Sequence, residues 1–146
     1  MDAVYAGTTV ILTGATGFLG KVVLEKLLYS LTSVKKIILL IRPRGETTPQ
    51  ERLQKEVLSW ACFDRCKGER PHYEDVLQVV GGDASNRSFG ISDAETEAML
   101  LREADWIINC AANVVFGARS SSSSNSRSSP EGIKSDRFFA RLKAPT

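Results

Sequence analysis

No stretch of this sequence comes near the roughly twenty consecutive apolar residues that a membrane-spanning helix needs. Its N-terminus also lacks the basic region and apolar core of a secretory signal. The reading is therefore a chain with neither a membrane span nor a leader. Cysteine is scarce: Cys62, Cys66 and Cys110 are too few for a disulfide framework, and without a signal for export a reducing compartment and free thiols are expected. Cys62 and Cys66 stand four apart in an expected helix and share a face, but two thiols and the single His72 leave a zinc site short of ligands. Ordinary surface chemistry explains the lone His72 better than catalysis does, because no suitable serine or cysteine motif accompanies it. Cys110, within an apolar stretch, is expected to be packed rather than reactive. Nor is there a useful surplus of charge. Residues 117–146 hold six of the nineteen basic and two of the seventeen acidic residues, so they carry +4 while residues 1–116 carry −2. The basic character belongs to the tail, and no nucleic-acid partner is indicated.

What the sequence does contain begins at Thr9. Thr9 to Leu12 is β-branched or apolar without polar alternation, as in a parallel strand covered on both faces. It runs directly into Thr13-Gly14-Ala15-Thr16-Gly17-Phe18-Leu19-Gly20. In such a turn Gly14 permits the tight bend, Gly17 has no Cβ to hold a diphosphate off the backbone, and Gly20 lets the next helix lie against the strand. The free amides and positive dipole end of that helix then face phosphate. Leu19, Val23 and Leu27, with Leu24, Leu28 and Leu31 beside them, form the expected buried stripe, leaving Lys21, Glu25 and Lys26 in water. A second apolar strand, residues 36–41, completes a strand–helix–strand unit of about thirty residues, the length of a dinucleotide-binding crossover. An ATP-type phosphate loop is excluded at two positions: Ala15 stands where its first glycine is required, and Val22 where its magnesium-binding hydroxyl is required.

The end of the second strand bears on the choice of nucleotide. A carboxylate there would accept from the ribose hydroxyls of NAD; this chain has Ile41-Arg42-Pro43-Arg44 instead. Arg42, with Arg44 nearby, offers a planar guanidinium suited to phosphate, so NADPH is the expected cofactor. Residues 49–63 read as one helix with Leu53, Val57, Trp60 and Ala61 on its core side, and residues 65–75, with Gly68 and Pro71, as a loop. A third strand over residues 76–80 leads into Gly81-Gly82-Asp83, whose carboxylate has two readings, an acceptor for the adenine amino group or a local turn. Ser92 and Glu95 have capping-box spacing for a further helix burying Ala98 and Leu101, with Ala94 and Met99 contributing less. Residues 106–112 form the fourth strand, and small Ala111 and Ala112 at its end let backbone approach the nicotinamide side.

After Phe116 the composition changes. Ser120 to Ser124 is an unbroken serine run inside a polar segment that cannot bury enough apolar surface to order itself. An altered reading frame, a retained intron or a splice variant is the expected origin of this break. Phe138, Phe139 and Leu142 make a basic amphipathic patch too short to predict membrane binding. The expected organisation is an α/β, Rossmann-like doubly wound parallel sheet over residues 1–116, incomplete at about four strands in the order 3-2-1-4, followed by a disordered tail at 117–146. Such a half sheet leaves Trp106, Ile107 and Ile108 on an apolar edge.

The glycine turn, Leu39-Leu40-Ile41-Arg42-Pro43, Gln50-Glu51-Arg52-Leu53, Gly82-Asp83 and Ala111-Ala112-Asn113-Val114-Val115-Phe116 occur in an order that resembles the N-terminal part of fatty acyl-CoA reductases. These are extended short-chain dehydrogenase/reductases with a male-sterility-type NAD-binding domain. The resemblance, over residues 8–116, implies NADPH-dependent reduction of a long-chain acyl-CoA to aldehyde or alcohol. It implies a diphosphate at Gly14, Gly17 and Gly20 with Ala15, Thr16, Phe18 and Leu19 around it, the extra phosphate at Arg42, and adenine near Asp83. Thioester reductase domains share this half. The family's location implies the cytosolic face of the reticulum or peroxisome, any membrane association residing in regions beyond this sequence. One departure bears on activity. Such enzymes use a tyrosine four positions before a lysine to protonate the carbonyl oxygen, whereas four positions after Tyr5, Tyr29 and Tyr73 stand Thr9, Ser33 and Leu77. The polypeptide alone is therefore expected to be inactive. Asn109 stands where a histidine is expected.

Overall fold

The computed structural model describes residues 2–111. Ala112, the segment 113–116 and the tail 117–146 lie outside the described residues, as do the expectations attached to them. The chain forms a helical turn α1 (Asp2–Tyr5), β1 (Thr9–Thr13), α2 (Phe18–Ser30), β2 (Lys36–Ile41), α3 (Pro49–Arg52), α4 (Asp64–Glu69), β3 (Leu77–Gly81), α5 (Ala94–Glu103) and β4 (Trp106–Asn109). The four strands are parallel in the order β3-β2-β1-β4, as the sequence predicts.

Strand alternation divides the core. Val10 and Leu12 of β1 and Ile37, Leu39 and Ile41 of β2 face α2, Leu53, Val57 and Phe63. Ile11, Ile38 and Leu40 face the other way, against Val80, Phe89 and Leu100. Every residue of β1 is buried, which is why it shows no polar alternation. At the sheet's edge β4 pairs with β1, and its Trp106 is 42% exposed with Tyr5 of α1 tilted against it at 5.3 Å between ring centroids.

Several local expectations are corrected. On α2 the buried arc is Lys21, Leu24, Glu25 and Leu28, while Leu19 is exposed. Those four positions follow the 0, 3, 4, 7 spacing of a single helix face. That face is covered by a second layer, so even charged residues on it are enclosed with partners. Lys21 Nζ sits 3.7 Å from the centre of the Trp60 ring, and Glu25 accepts from Arg65 Nη2 at 2.6 Å and Nε at 3.1 Å. A burial pattern read from α2 alone cannot foresee that layer.

The expected helix over 49–63 is broken. α3 opens with a capping box between Thr48 and Glu51, widens into π-type turns at Leu53–Leu58, and stops at Trp60, whose backbone is extended (φ −72°, ψ 142°). Trp60 is 43% exposed rather than in the core; Phe63, three residues on, is fully buried. The expected loop at 65–75 is in its first part a helix: α4 runs through Gly68, which faces open space, and buries Cys66 against α2. Arg65 lies 3.6 Å over the Tyr29 ring, and Arg70 Nη1 donates to the carbonyl of Leu28, closing α2. Asp93, not Ser92, caps α5, its carboxylate accepting from the amides of Glu95 (3.3 Å) and Thr96 (2.9 Å). The residue α5 buries is Leu100, with Ala98 and Ala94 exposed and Leu101 half-buried. Strand ends shift as well: β3 begins at Leu77, and β4 ends at Asn109, before Cys110.

Because Leu100 alone joins α5 to the second core face as a fully buried side chain, Leu100→Ala should lower stability by about 2–5 kcal/mol. Leu101→Ala should cost under about 1.5 kcal/mol. Urea unfolding of the two variants measures the difference, and equal losses would contradict this burial.

Candidate dinucleotide site

The carboxyl ends of all four strands carry the residues singled out from the sequence. Gly14 follows β1, Arg42 follows β2, Asp83 follows β3, and Ala111 stands two residues past β4. In an open sheet of this order the ligand crevice lies at the switch point between β1 and β4.

Two glycines there are dictated by contact. Gly14 has φ +75°, and a Cβ on it would lie 2.5 Å from the Ala111 nitrogen and the Cys110 carbonyl carbon. The turn after β1 thus presses directly on the backbone leaving β4. A Cβ on Gly20 would lie 2.0 Å from the Gly14 carbonyl oxygen, so the first turn of α2 rests on that same turn. Gly17 differs: it has an ordinary φ of −78°, and a Cβ would meet Gly14 oxygen at 3.3 Å. It caps α2 without a side chain, and the first turn carries no acid. The amides of Phe18, Leu19 and Gly20 have no carbonyl one turn back within the helix. Ala15 is buried, Thr16 half-buried, and Phe18 and Leu19 are 72% and 60% exposed. A helix start with no capping side chain at Gly17 and no acid in its first turn fits a diphosphate.

In the sequence Asn109 is only a departure from an expected histidine. Here its Oδ1 accepts from Thr13 Oγ1 at 2.5 Å and from the Ala111 amide at 3.1 Å. One side chain therefore ties the ends of β1 and β4 together beneath Gly14. Burial raises the pKa of the neighbouring Cys110 thiol, which disfavours thiolate chemistry there.

At the other end of the crevice Arg42 is 65% exposed, and its Nη1 lies 3.2 Å from Asp83 Oδ2. The structure thus brings these two predicted residues together as an ion pair. Asp83 Oδ1 accepts from the Ser85 hydroxyl (2.6 Å) and amide (2.9 Å), a local turn. Those hydrogen bonds first, and Arg42 after them, hold the Asp83 carboxyl below its ordinary range. Arg44 stands apart in a tight turn with Thr47, 72% exposed and 3.9 Å from Glu56. Sequence reasoning gave no role to Arg52 and Glu56, which pair between the two arginines; their four-residue spacing on a helix was the available signal. Among the described residues no group of three or more His, Cys, Asp or Glu is placed to hold a metal, and no helix is long and apolar enough to cross a membrane. A separate cavity of about 340 Å³, lined by Gln78, Val80, Gly81, Ile91, Asp93 and Met99, opens along β3, two strands from the glycine turn.

A parallel sheet with this glycine turn at its switch point defines the class of Rossmann-like, nucleotide-binding α/β domains. Within that class the chain belongs to the NAD-binding family described as male sterility protein, which matches residues 12–127. It is 40% identical over 112 residues to fatty acyl-CoA reductase 1 of Homo sapiens, covering 77% of this chain and 21% of that protein. To fatty acyl-CoA reductase 2 of Mus musculus it is 36% identical over 116 residues, covering 80% and 22%. The chain thus spans about a fifth of the length of these relatives. Among solved structures it resembles the terminal R domain of the myxalamid PKS-NRPS pathway, with TM-score 0.61 and 29% identity over 76% of this chain and 26% of that one. The reductase (R) domain of a non-ribosomal peptide synthetase from Mycobacterium tuberculosis gives TM-score 0.58 and 33% identity, over 74% and 25%. The resemblance seen in the sequence is shown, and family membership supports a nicotinamide nucleotide as the cofactor class.

The glycine contacts make separable expectations. Gly20→Ala, driven against a backbone oxygen, should cost about 2 kcal/mol or more, whereas Gly17→Ala should stay within about 1 kcal/mol of the parent. Denaturant unfolding distinguishes them, and a Gly20→Ala variant as stable as Gly17→Ala would refute the close approach.

Proposed function

We propose that residues 1–116 are the NADPH-binding half of a reductase acting on long-chain acyl-CoA thioesters, with fatty aldehyde or alcohol as product. The observation that carries the choice of NADPH is the exposed Arg42 guanidinium at the end of β2, where an acid would serve NAD. In this reading the amides of Phe18, Leu19 and Gly20 receive the diphosphate, with Ala15 and Thr16 lining the turn. Arg42 receives the 2′-phosphate by exchanging its Asp83 contact for a doubly charged group, and Arg44 adds positive field at the rim. Asp83, released from Arg42, accepts from the adenine amino group. Ala111 flanks the nicotinamide side, where a bound cofactor would supply the hydride.

The acyl-CoA substrate is argued from the fatty acyl-CoA reductase relatives. The R-domain neighbours support the broader class, reductases with this cofactor half. A proton donor for the carbonyl oxygen is another matter: no tyrosine in these 146 residues precedes a lysine by four positions. That observation favours a second reading, a nucleotide-binding module without catalysis of its own.

Two measurements follow. Titrating NADPH and NADH against the purified chain by nucleotide fluorescence should show tighter binding of NADPH, and Arg42→Ala should erase about tenfold of that preference. Equal affinities before mutation would reject Arg42 as the phosphate reader. With a long-chain acyl-CoA added, NADPH oxidation by the same polypeptide should stay at background; measurable turnover would show that another group supplies the proton.

A further inference from the structure

We propose that the Arg52–Glu56 pair is a positioning device for Arg42 at the end of β2, setting nucleotide specificity without touching the nucleotide. This rests on the reading of Arg42 given above. Arg52 ends α3 and is 4% exposed. Its guanidinium is used on all sides: Nε and Nη2 donate to Glu56 Oε1 and Oε2 at 2.9 and 2.7 Å, and Nη1 donates to the main-chain carbonyl of Arg42 at 2.5 Å. Glu56 in turn lies 3.9 Å from Arg44 Nη1. One ion pair thus holds the backbone of the first arginine and reaches the side chain of the second.

Anchoring the helix does not require this pair. Leu53, Val57 and Leu58 already pin the segment, each at most 3% exposed. An ion pair with a partner as exposed as Glu56 adds little to stability. What an apolar residue cannot do is fix a carbonyl. A planar fork can hold a carboxylate on two nitrogens and a carbonyl on the third, which a lysine ammonium cannot reproduce. The Ile41 carbonyl just before it accepts from the Gly82 amide at 3.2 Å, tying β2 to the loop that carries Asp83. Fixing the next carbonyl fixes where the Arg42 side chain departs, and hence whether it meets a phosphate on the ribose.

The test is titration of the chain with NADPH and with NADH in four forms: parent, Arg42→Ala, Arg52→Lys and Glu56→Gln, with circular dichroism reporting the fold. Arg52→Lys and Glu56→Gln should each lower the NADPH-to-NADH affinity ratio about fivefold, with NADH affinity changed less than about twofold. In an Arg42→Ala background neither should lower the ratio further, because both act through Arg42. An unchanged ratio in folded Glu56→Gln would overturn the proposal, and so would a further fall in the Arg42→Ala background, which would mean Arg52 meets the phosphate itself. Should Arg52→Lys unfold and lose both nucleotides, Glu56→Gln decides, since that side chain is 33% exposed and the change nearly isosteric. An Arg42→Ala variant that keeps the full preference would instead remove the phosphate reading on which this rests.

Discussion

The structure turns on one close approach: the Gly14 carbonyl lies so near the backbone of Gly20 that no Cβ can stand between them. That contact brings the start of α2 onto the end of β1 and aims its first amides across the strand ends. The same Gly14 presses on the Cys110–Ala111 backbone, and Asn109 bonds Thr13 beneath it. The glycine turn and the distant end of β4 therefore meet at a point where Gly14 and Gly20 place no side chain between backbone segments. A phosphate needs that, because amide donors serve it only where no side chain screens them.

The opposite rim is built from charge. Arg42, Asp83, Arg44, Glu56 and Arg52 form a chain of contacts from the end of β3 across β2 to α3. Its exposed members are worth little to stability because water screens them, which leaves them free to exchange partners with a ligand. The enclosed member, Arg52, has no such freedom. An exposed side chain on a backbone carbonyl held by Arg52 is the division that the proposed phosphate contact at Arg42 requires.

Much of this was legible beforehand, and the reason is local. The strand and the glycine spacing depend on short-range pattern and on the backbone demands of Gly14 and Gly20, which a sequence displays, and the sheet order followed from the fold they define. What was not legible arises where one element covers another. Lys21 and Glu25 look like solvent positions until α4 and the turn at Trp60 close over them. Residues 49–63 have a helix's periodicity throughout, yet Trp60 breaks the helix because Phe63 takes the core position. Gly68 suggested a loop, but on the open side of α4 it costs only about 1 kcal/mol, which Cys66 and the Arg65–Glu25 pair offset. The choice between Asp83 as adenine acceptor and as turn former was open in sequence; the structure shows the turn bonds to Ser85 and adds Arg42 as a partner.

The central claim is that a nicotinamide dinucleotide lies across the strand ends with its diphosphate on the start of α2. Amide chemical shifts of the nitrogen-15-labelled chain, followed as NADPH is added, report that contact residue by residue. The largest changes should fall on Gly17, Phe18, Leu19 and Gly20, with a second group at Arg42 and Asp83. Saturable changes confined to the cavity along β3, at Gln78, Ile91 and Met99, or a folded chain with no changes, would contradict the account.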